Sequence, residues 1–197
     1  LCDRYYNSID LCIVRNLCML TLAYSGFLRY DELSHLRCKD ISFKDDYISL
    51  HISKSKTDQY RDGKEVVICK GTTSACPIDL LNKYMQLANL NKSDDSFLFK
   101  PENNSKGHVK LICKDKPLSY TRAREIIKSL FKQVDPSLSI GLHSLRAGGV
   151  TTAANSSCNI NERCLKKHGR WKTDFAKDLY IKDSLESRLS VSKSINF

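Results

Sequence analysis

The sequence predicts a mainly α-helical domain with one small antiparallel β-sheet, an α+β arrangement. Three observations carry this. Apolar residues recur at three- and four-residue steps along most of the 197-residue chain. Strand character is confined to the stretch from Asp40 to Ile68. Pro77 and Ser119 stand where helical stretches open, and Asp135-Pro136 stands where one closes.

In chain order, Ile9, Ile13, Leu17, Leu20 and Tyr24 share one face of a helix over 9–24, which Ser25-Gly26 breaks. A second helix, 30–37, turns Leu33 and Leu36 inward. Ile41, Phe43, Tyr47, Ile48, Leu50 and Ile52 have strand character. The polar stretch Lys54 to Lys64, holding Asp62-Gly63, is a hairpin connection to a strand over Glu65-Val66-Val67-Ile68. Pro77 opens a helix whose apolar set is Ile78, Leu81, Tyr84, Met85 and Ala88. Residues 91–117, rich in Asn, Ser, Lys and Asp, read as an extended surface segment with one short apolar piece, Phe97-Leu98-Phe99. Ser119 caps an amphipathic helix built on Ala123, Ile126, Ile127, Leu130, Phe131 and Val134. His143 opens another helix through Ala147, Val150 and Ala154, and a short one includes Cys164 and Leu165. Short helices over 172–193 bracket Tyr180.

Bulk properties narrow the function. At 41% apolar and 27% charged the chain suits one soluble globular domain. No apolar run approaches the roughly 20 residues of a membrane span, so no membrane partner is expected. The excess of 32 Lys and Arg over 22 Asp and Glu leaves +10 and favours a polyanionic partner, most simply nucleic acid. Nine cysteines, an odd number with no Cys-x-x-Cys, suit reduced thiols inside a cell. Cys164-x-x-x-His168 has half the spacing of a zinc site and no second half, so no metal is expected.

Several residues have types suited to phosphate chemistry. Cutting a phosphodiester places extra negative charge on nonbridging oxygens and needs a nucleophile and an acid for the departing oxygen. Guanidinium forks grip phosphate bidentately and stay charged. Arg29 follows the helix break at Ser25-Gly26, and Glu32 lies one turn on, where a carboxylate holds a guanidinium in place. His143 and Arg146 form a His-x-x-Arg pair on one helix, followed by Ala147-Gly148-Gly149, which allow close backbone approach. Trp171 lies nine residues before Tyr180. Its indole N–H is a donor, and a phenol, with a pKa of about 10, becomes a nucleophile only when activated. Lys166, Lys167, Arg170 and Lys172 surround Trp171.

Taken together, Gly26-Phe27-Leu28-Arg29, Ser53-Lys54-Ser55-Lys56-Thr57, His143-Ser144-Leu145-Arg146, Gly169-Arg170-Trp171 and Leu179-Tyr180-Ile181 resemble the tyrosine recombinases, the phage integrase family that includes Cre and Xer. The resemblance spans residues 9–185. The runs around His143, Trp171 and Tyr180 look most like recombinases of eukaryotic mobile elements, the Crypton and DIRS-like groups. It implies the fold of that catalytic domain and a metal-free, cofactor-free strand transfer on double-stranded DNA through a 3′-phosphotyrosyl intermediate. Tyr180 is then the nucleophile. Arg29, Arg146, His143 and Trp171 bind the phosphate, and Glu32 supports Arg29. Lys56 protonates the leaving oxygen, with Lys54 two residues away as the alternative. His168 competes with Trp171 for its place, but only Trp171 keeps the nine-residue step. Lys54, Arg122, Arg124, Lys166, Lys167, Arg170 and Lys172 would contact DNA backbone beside the cleavage point.

The resemblance divides the chain into a catalytic domain, 1–185, and a tail, 186–197, suited to linking protomers. A homotetramer on DNA is implied, while the isolated segment is compatible with a monomer. The helical N-terminal domain with which relatives clamp DNA is not expected in a chain of this length, and a start at Leu1 suits an excised fragment. An intracellular location follows, nuclear in a eukaryote and otherwise cytoplasmic. Three rivals stay open from sequence. A type IB topoisomerase usually carries lysine where His143 stands. A domesticated DNA-binding protein would have lost site residues. A basic helical module unrelated to DNA requires every match to be coincidence.

Overall fold

The second helix organises this chain. The computed structural model describes residues 1–53, 64–105, 108–112, 114–156, 158 and 160–195. After a one-turn α1 (Cys2–Tyr5), α2 runs Leu11–Ser25. Asp10 starts it, its carboxylate accepting the Ile13 N–H at 2.9 Å. Ile9 therefore lies outside the helix, and it is 81% exposed rather than part of the inward face. The buried set goes nearly round α2: Val14, Leu17, Cys18, Met19, Leu22 and Ala23. A helix apolar on all sides is an interior helix, and no single stripe describes it.

Helix α3 (Tyr30–Ser34) is shorter than the apolar spacing suggests and gives way to a 3₁₀ turn at Cys38–Asp40, although Leu33 and Leu36 are both buried. Strands β1 (Ile41–Phe43), β2 (Tyr47–Ile52) and β3 (Lys64–Cys69) form an antiparallel sheet in sequence order. The register pairs Ile41 with Leu50, Ile48 with Ile68 and Leu50 with Val66. Ile48, Leu50, Val66 and Ile68 thus share the buried face, and Val67, one step out of phase, faces away. The expected connection between β2 and β3, with Lys54 and Lys56, falls outside the described residues.

Pro77 occupies the first turn of α4 (Pro77–Leu87). Its Tyr84 stacks on Phe99 at 5.6 Å and donates to the Leu98 carbonyl at 2.7 Å. The stretch expected to be an extended surface segment is therefore anchored: Leu98 and Phe99 are core residues. It also contains a hairpin, β4 (Glu102–Ser105) with β5 (His108–Leu111). The polar run Glu102-Asn103-Asn104-Ser105 has no apolar alternation to announce a strand, and backbone pairing supplies what the side chains do not signal.

Glu102 ties this hairpin to two helices. Its carboxylate pairs with Arg15 of α2 and, at 3.0 Å, with Arg122 of α5 (Tyr120–Lys132). Ser119 caps α5 through the Arg122 N–H, and Val134, past the helix end, is exposed. Helix α6 (Leu142–Ala154) crosses α2 closely, and α7 (Glu162–His168), α8 (Asp174–Asp178) and α9 (Leu185–Lys193) follow. Buried apolar residues fall in two clusters. The larger joins α2 to the sheet, α4 and α5, and the smaller holds Phe27, Val150, Leu165 and Trp171. Cys18, Cys38 and Cys76 are buried thiols, whereas Cys69, Cys158 and Cys164 are exposed. Among the described residues no helix is long and apolar enough to cross a membrane.

Burial alone would raise the Glu102 carboxyl, but hydrogen bonds from Arg15 and Arg122 and the charge of Arg15 hold it at about 2. A carboxyl depressed on folding contributes stability above its unfolded value, and that contribution is lost as pH falls through the folded value. Urea titrations should therefore show wild-type stability declining between about pH 4.5 and pH 2, with Glu102→Gln removing part of that slope. At pH 7 the same substitution should cost about 3 kcal/mol, because it leaves the buried Arg15 uncompensated.

Candidate active site

Glycine, a left-handed residue and a carboxylate build the first half of the site. Gly26 closes α2 with its N–H on the Leu22 carbonyl at 2.9 Å. Phe27 then turns at φ 46°, which swings the chain so that Arg29 begins α3. Glu32, buried in the first turn of α3, accepts the Arg29 backbone N–H at 2.8 Å and its guanidinium at 3.0 Å. Burial would raise the Glu32 carboxyl. The Arg170 charge and hydrogen bond, with Arg29 behind them, hold it below the usual carboxylate range.

The α2–α6 crossing supplies the second half. A Cβ on Gly149 would sit 2.2 Å from the Tyr24 carbonyl oxygen, so only glycine permits this approach. It drives Arg146 fully inside, where it donates to the Phe27 carbonyl and, at 2.6 Å, to the Gly169 carbonyl. The guanidinium carbon lies 4.5 Å from the Trp171 ring centre and 5.1 Å from that of Tyr180, and the two rings are 5.5 Å apart. Arg146 Nε and Trp171 Nε1 are buried donors without a hydrogen-bond acceptor among the described residues. Burial, then the charges of Arg29 and Arg170, pull Arg146 down to about 10. It stays charged at neutral pH in surroundings that favour an anion.

Helix α6 also holds the tyrosine. Thr151 donates to the Tyr180 carbonyl at 3.0 Å, and the Asn155 amide donates to Lys182 at 2.9 Å and accepts from the Ser184 N–H at 3.1 Å. One helix thus fixes Arg146 and the backbone of Tyr180 together. Buried Lys177 of α8 pairs with Glu162 at the start of α7, which anchors the approach to Tyr180. Sequence reasoning missed Thr151, Asn155 and Lys177. For the first two the signal was their four-residue spacing, which puts Thr151 in the last turn of α6 and Asn155 at its C-cap.

The structure brings Arg29, Glu32, Arg146, Trp171 and Tyr180 together, and His143 stands exposed in the first turn of α6. Arg170 is a correction. Expected to contact DNA backbone, it is 2% exposed and bonded to Glu32 and to three carbonyls, because its backbone turns the side chain inward. Arg122, expected on the same surface, is half-exposed and paired with Glu102, and Lys166 is paired with Asp174 at 3.0 Å. Arg124, Lys167 and Lys172 are exposed. His168 donates its Nε2 hydrogen to the Ser25 carbonyl at 2.8 Å and packs on Phe27, so Trp171 is the residue packed against Tyr180, with the rings tilted by 50°. Burial pulls the His168 imidazole below its ordinary value. Beside the site a groove of 790 Å³, lined by Lys64, Arg163, Lys166 and Lys167, reaches Trp171 between β3 and α7.

The sequence matches the phage integrase family over residues 6–174. The chain belongs to that family. The match ends short of Tyr180, which packs against Trp171 and lies beside the Arg146 guanidinium. An integrase/recombinase xerD homolog of Selenomonas ruminantium is 24% identical over 171 residues, covering 85% of this chain and 47% of the relative. This chain thus spans about half the length of the curated relative it matches. Among solved structures, a XerH site-specific recombinase bound to palindromic difH substrate, in a post-cleavage complex, superposes with a TM-score of 0.67 at 17% identity. It covers 98% of this chain and 50% of that one. XerA recombinase gives a TM-score of 0.67 at 12% identity, covering 100% and 61%. This integrase-family chain shares their fold, mostly helical with a small antiparallel sheet.

Trp171 is the chain's one tryptophan, so its fluorescence reports this cluster alone. A Cβ on Gly169 would fall 1.7 Å from the indole ring. Gly169→Ala should therefore shift the emission to the red and lower stability by about 1–3 kcal/mol in denaturant titrations, the usual range for overpacking.

Proposed function

We propose that this chain is the catalytic domain of a site-specific DNA recombinase or integrase, cleaving and rejoining duplex DNA without a metal or nucleotide cofactor. One observation carries the reading: Arg146 Nε and Trp171 Nε1, buried donors with no acceptor among the described residues, flank Tyr180 beside a second arginine, Arg29. Donors held in this way suit the charge that develops on a phosphate under attack.

In this reading the Tyr180 oxygen attacks the phosphorus and gives its proton to His143. The bond to the 5′ oxygen breaks, and Lys56, or Lys54 beside it, protonates that oxygen. A 3′-phosphotyrosine forms and a 5′-hydroxyl leaves. Attack by the 5′-hydroxyl of a second strand reverses the step, so the phosphodiester energy is conserved. Lys167, Lys172 and the groove lined by Lys64 and Arg163 suit the flanking backbone. XerH recombinase binds a palindromic difH substrate and the Tn1549 transposon integrase a circular intermediate DNA, which supports DNA as the partner here. A tetramer on DNA belongs to the same reading, supported by the exposed Leu185, Leu189 and Ile195 of the C-terminal segment. Action on DNA places the protein inside the cell, in the nucleus of a eukaryote and otherwise the cytoplasm. Kinship with eukaryotic mobile-element recombinases rests on the runs around His143, Trp171 and Tyr180.

A nicked suicide duplex should trap a covalent adduct on a denaturing gel, and Tyr180→Phe should abolish it. An adduct that survives Tyr180→Phe would refute the assignment. Trp171→Phe keeps the ring and removes the N–H, and should slow adduct formation about a hundredfold. A rate unchanged by Trp171→Phe removes the indole from the phosphate site.

A further inference from the structure

We propose that Arg170 is the positioning residue of this site, a buried guanidinium that sets where Arg29 and Arg146 stand without itself touching phosphate. The proposal rests on the phosphoryl-transfer reading above.

An arginine has five N–H donors, and Arg170 uses each of them. Nε donates to Glu32 Oε1 at 3.4 Å. One terminal nitrogen donates to the Gly26 carbonyl at 3.1 Å and the His168 carbonyl at 2.7 Å. The other donates to the Phe27 carbonyl at 2.8 Å and Glu32 Oε2 at 2.7 Å. No donor is left for a phosphate, and two of these acceptors lead directly to the clamp. Glu32 holds the Arg29 guanidinium at 3.0 Å, and the Phe27 carbonyl accepts from Arg146. Arg170 thus fixes both arginines, each through one shared acceptor.

The backbone points the same way. Arg170 has φ 58° and Phe27 has φ 46°, both in the left-handed region where glycine is at ease and other residues are not. Such a conformation persists where the surroundings over-determine it. Here the two turns are locked face to face, the side chain of one donating to the carbonyl of the other. Glycine would relieve the backbone at 170 but would lose the lock.

Charge gives the lock a chemical consequence. Without Arg170, the Glu32 carboxylate would draw more strongly on Arg29 at 3.0 Å and Arg146 at 3.9 Å, and would weaken the charge they present to phosphate. Arg170 pairs with that carboxylate at 2.7 Å and takes up part of its charge, which leaves more of the Arg29 and Arg146 charge in force. Lysine keeps the charge but, as a point donor with three hydrogens, does not span Glu32 and three carbonyls.

The test uses the chain carrying Arg170→Lys. Duplex affinity, measured with Tyr180→Phe to prevent cleavage, should stay within about twofold with an unchanged salt slope, because no phosphate contact is lost. Adduct formation at saturating duplex should slow by about tenfold or more, as expected of a displaced clamp. Combined with Arg29→Lys, the effects should be less than multiplicative, since both act through Glu32. Weaker binding with the salt slope reduced by about one would make Arg170 a phosphate contact and overturn the proposal. Independent, multiplicative effects would also overturn it. Arginine Nε–H NMR resonances decide the positioning without DNA: Arg170→Lys should move those of Arg29 and Arg146 and leave that of Arg15. If those two stay in place the proposal fails, even if activity drops. If the wild type forms no adduct, the recombinase reading fails, and the spectrum still shows whether Arg170 sets the two guanidiniums.

Discussion

The buried carboxylate of Glu32 stands among three guanidiniums, 3.0 Å from Arg29, 2.7 Å from Arg170 and 3.9 Å from Arg146. Each arginine comes from a different part of the fold: the start of α3, the middle of α6 and the turn after α7. Like charges this close repel strongly in a partly dehydrated site. Glu32 makes the gathering tolerable, and the excess positive charge that remains is what an anion would meet. Arg146 shows the cost of this arrangement, since burial and its two neighbours lower its affinity for its own proton.

The helix crossing at Gly149 makes the gathering geometrically possible. With α6 lying against the Tyr24 carbonyl, Arg146 reaches the Phe27 turn, and Thr151 and Asn155 reach the tyrosine segment one and two turns later. The small apolar cluster of Phe27, Val150, Leu165 and Trp171 fills the space between. It is separate from the main core, so the surroundings of Tyr180 have their own packing. Gly169 beneath the indole is the second close approach on which it depends.

Most of the fold was legible in the sequence. The Ser119 cap, the Pro77 start and the alternation of Val66 and Ile68 have local causes, and local signals reported them. The misreadings have causes too. Ile9 matched a helical stripe but lies before the Asp10 cap. The β4–β5 hairpin is polar throughout its first strand, so its pairing is a backbone matter that periodicity does not register. Within the site, the Arg29–Glu32 pair follows from spacing on one helix, whereas Arg170 looked like one more member of a basic run.

By itself the sequence determined the helical class, the small sheet and family membership, because residue type and local spacing encode these. Only the tertiary structure decided which positive charges face inward. Arg170 meets Glu32 across 138 residues of chain, and Arg146 meets the Phe27 carbonyl across 119. Between Arg170, buried at a left-handed turn, and Lys172, exposed two residues on, composition makes no distinction. Burial does, because it depends on how distant segments pack and on which carbonyls and carboxylates that packing leaves in need of a donor.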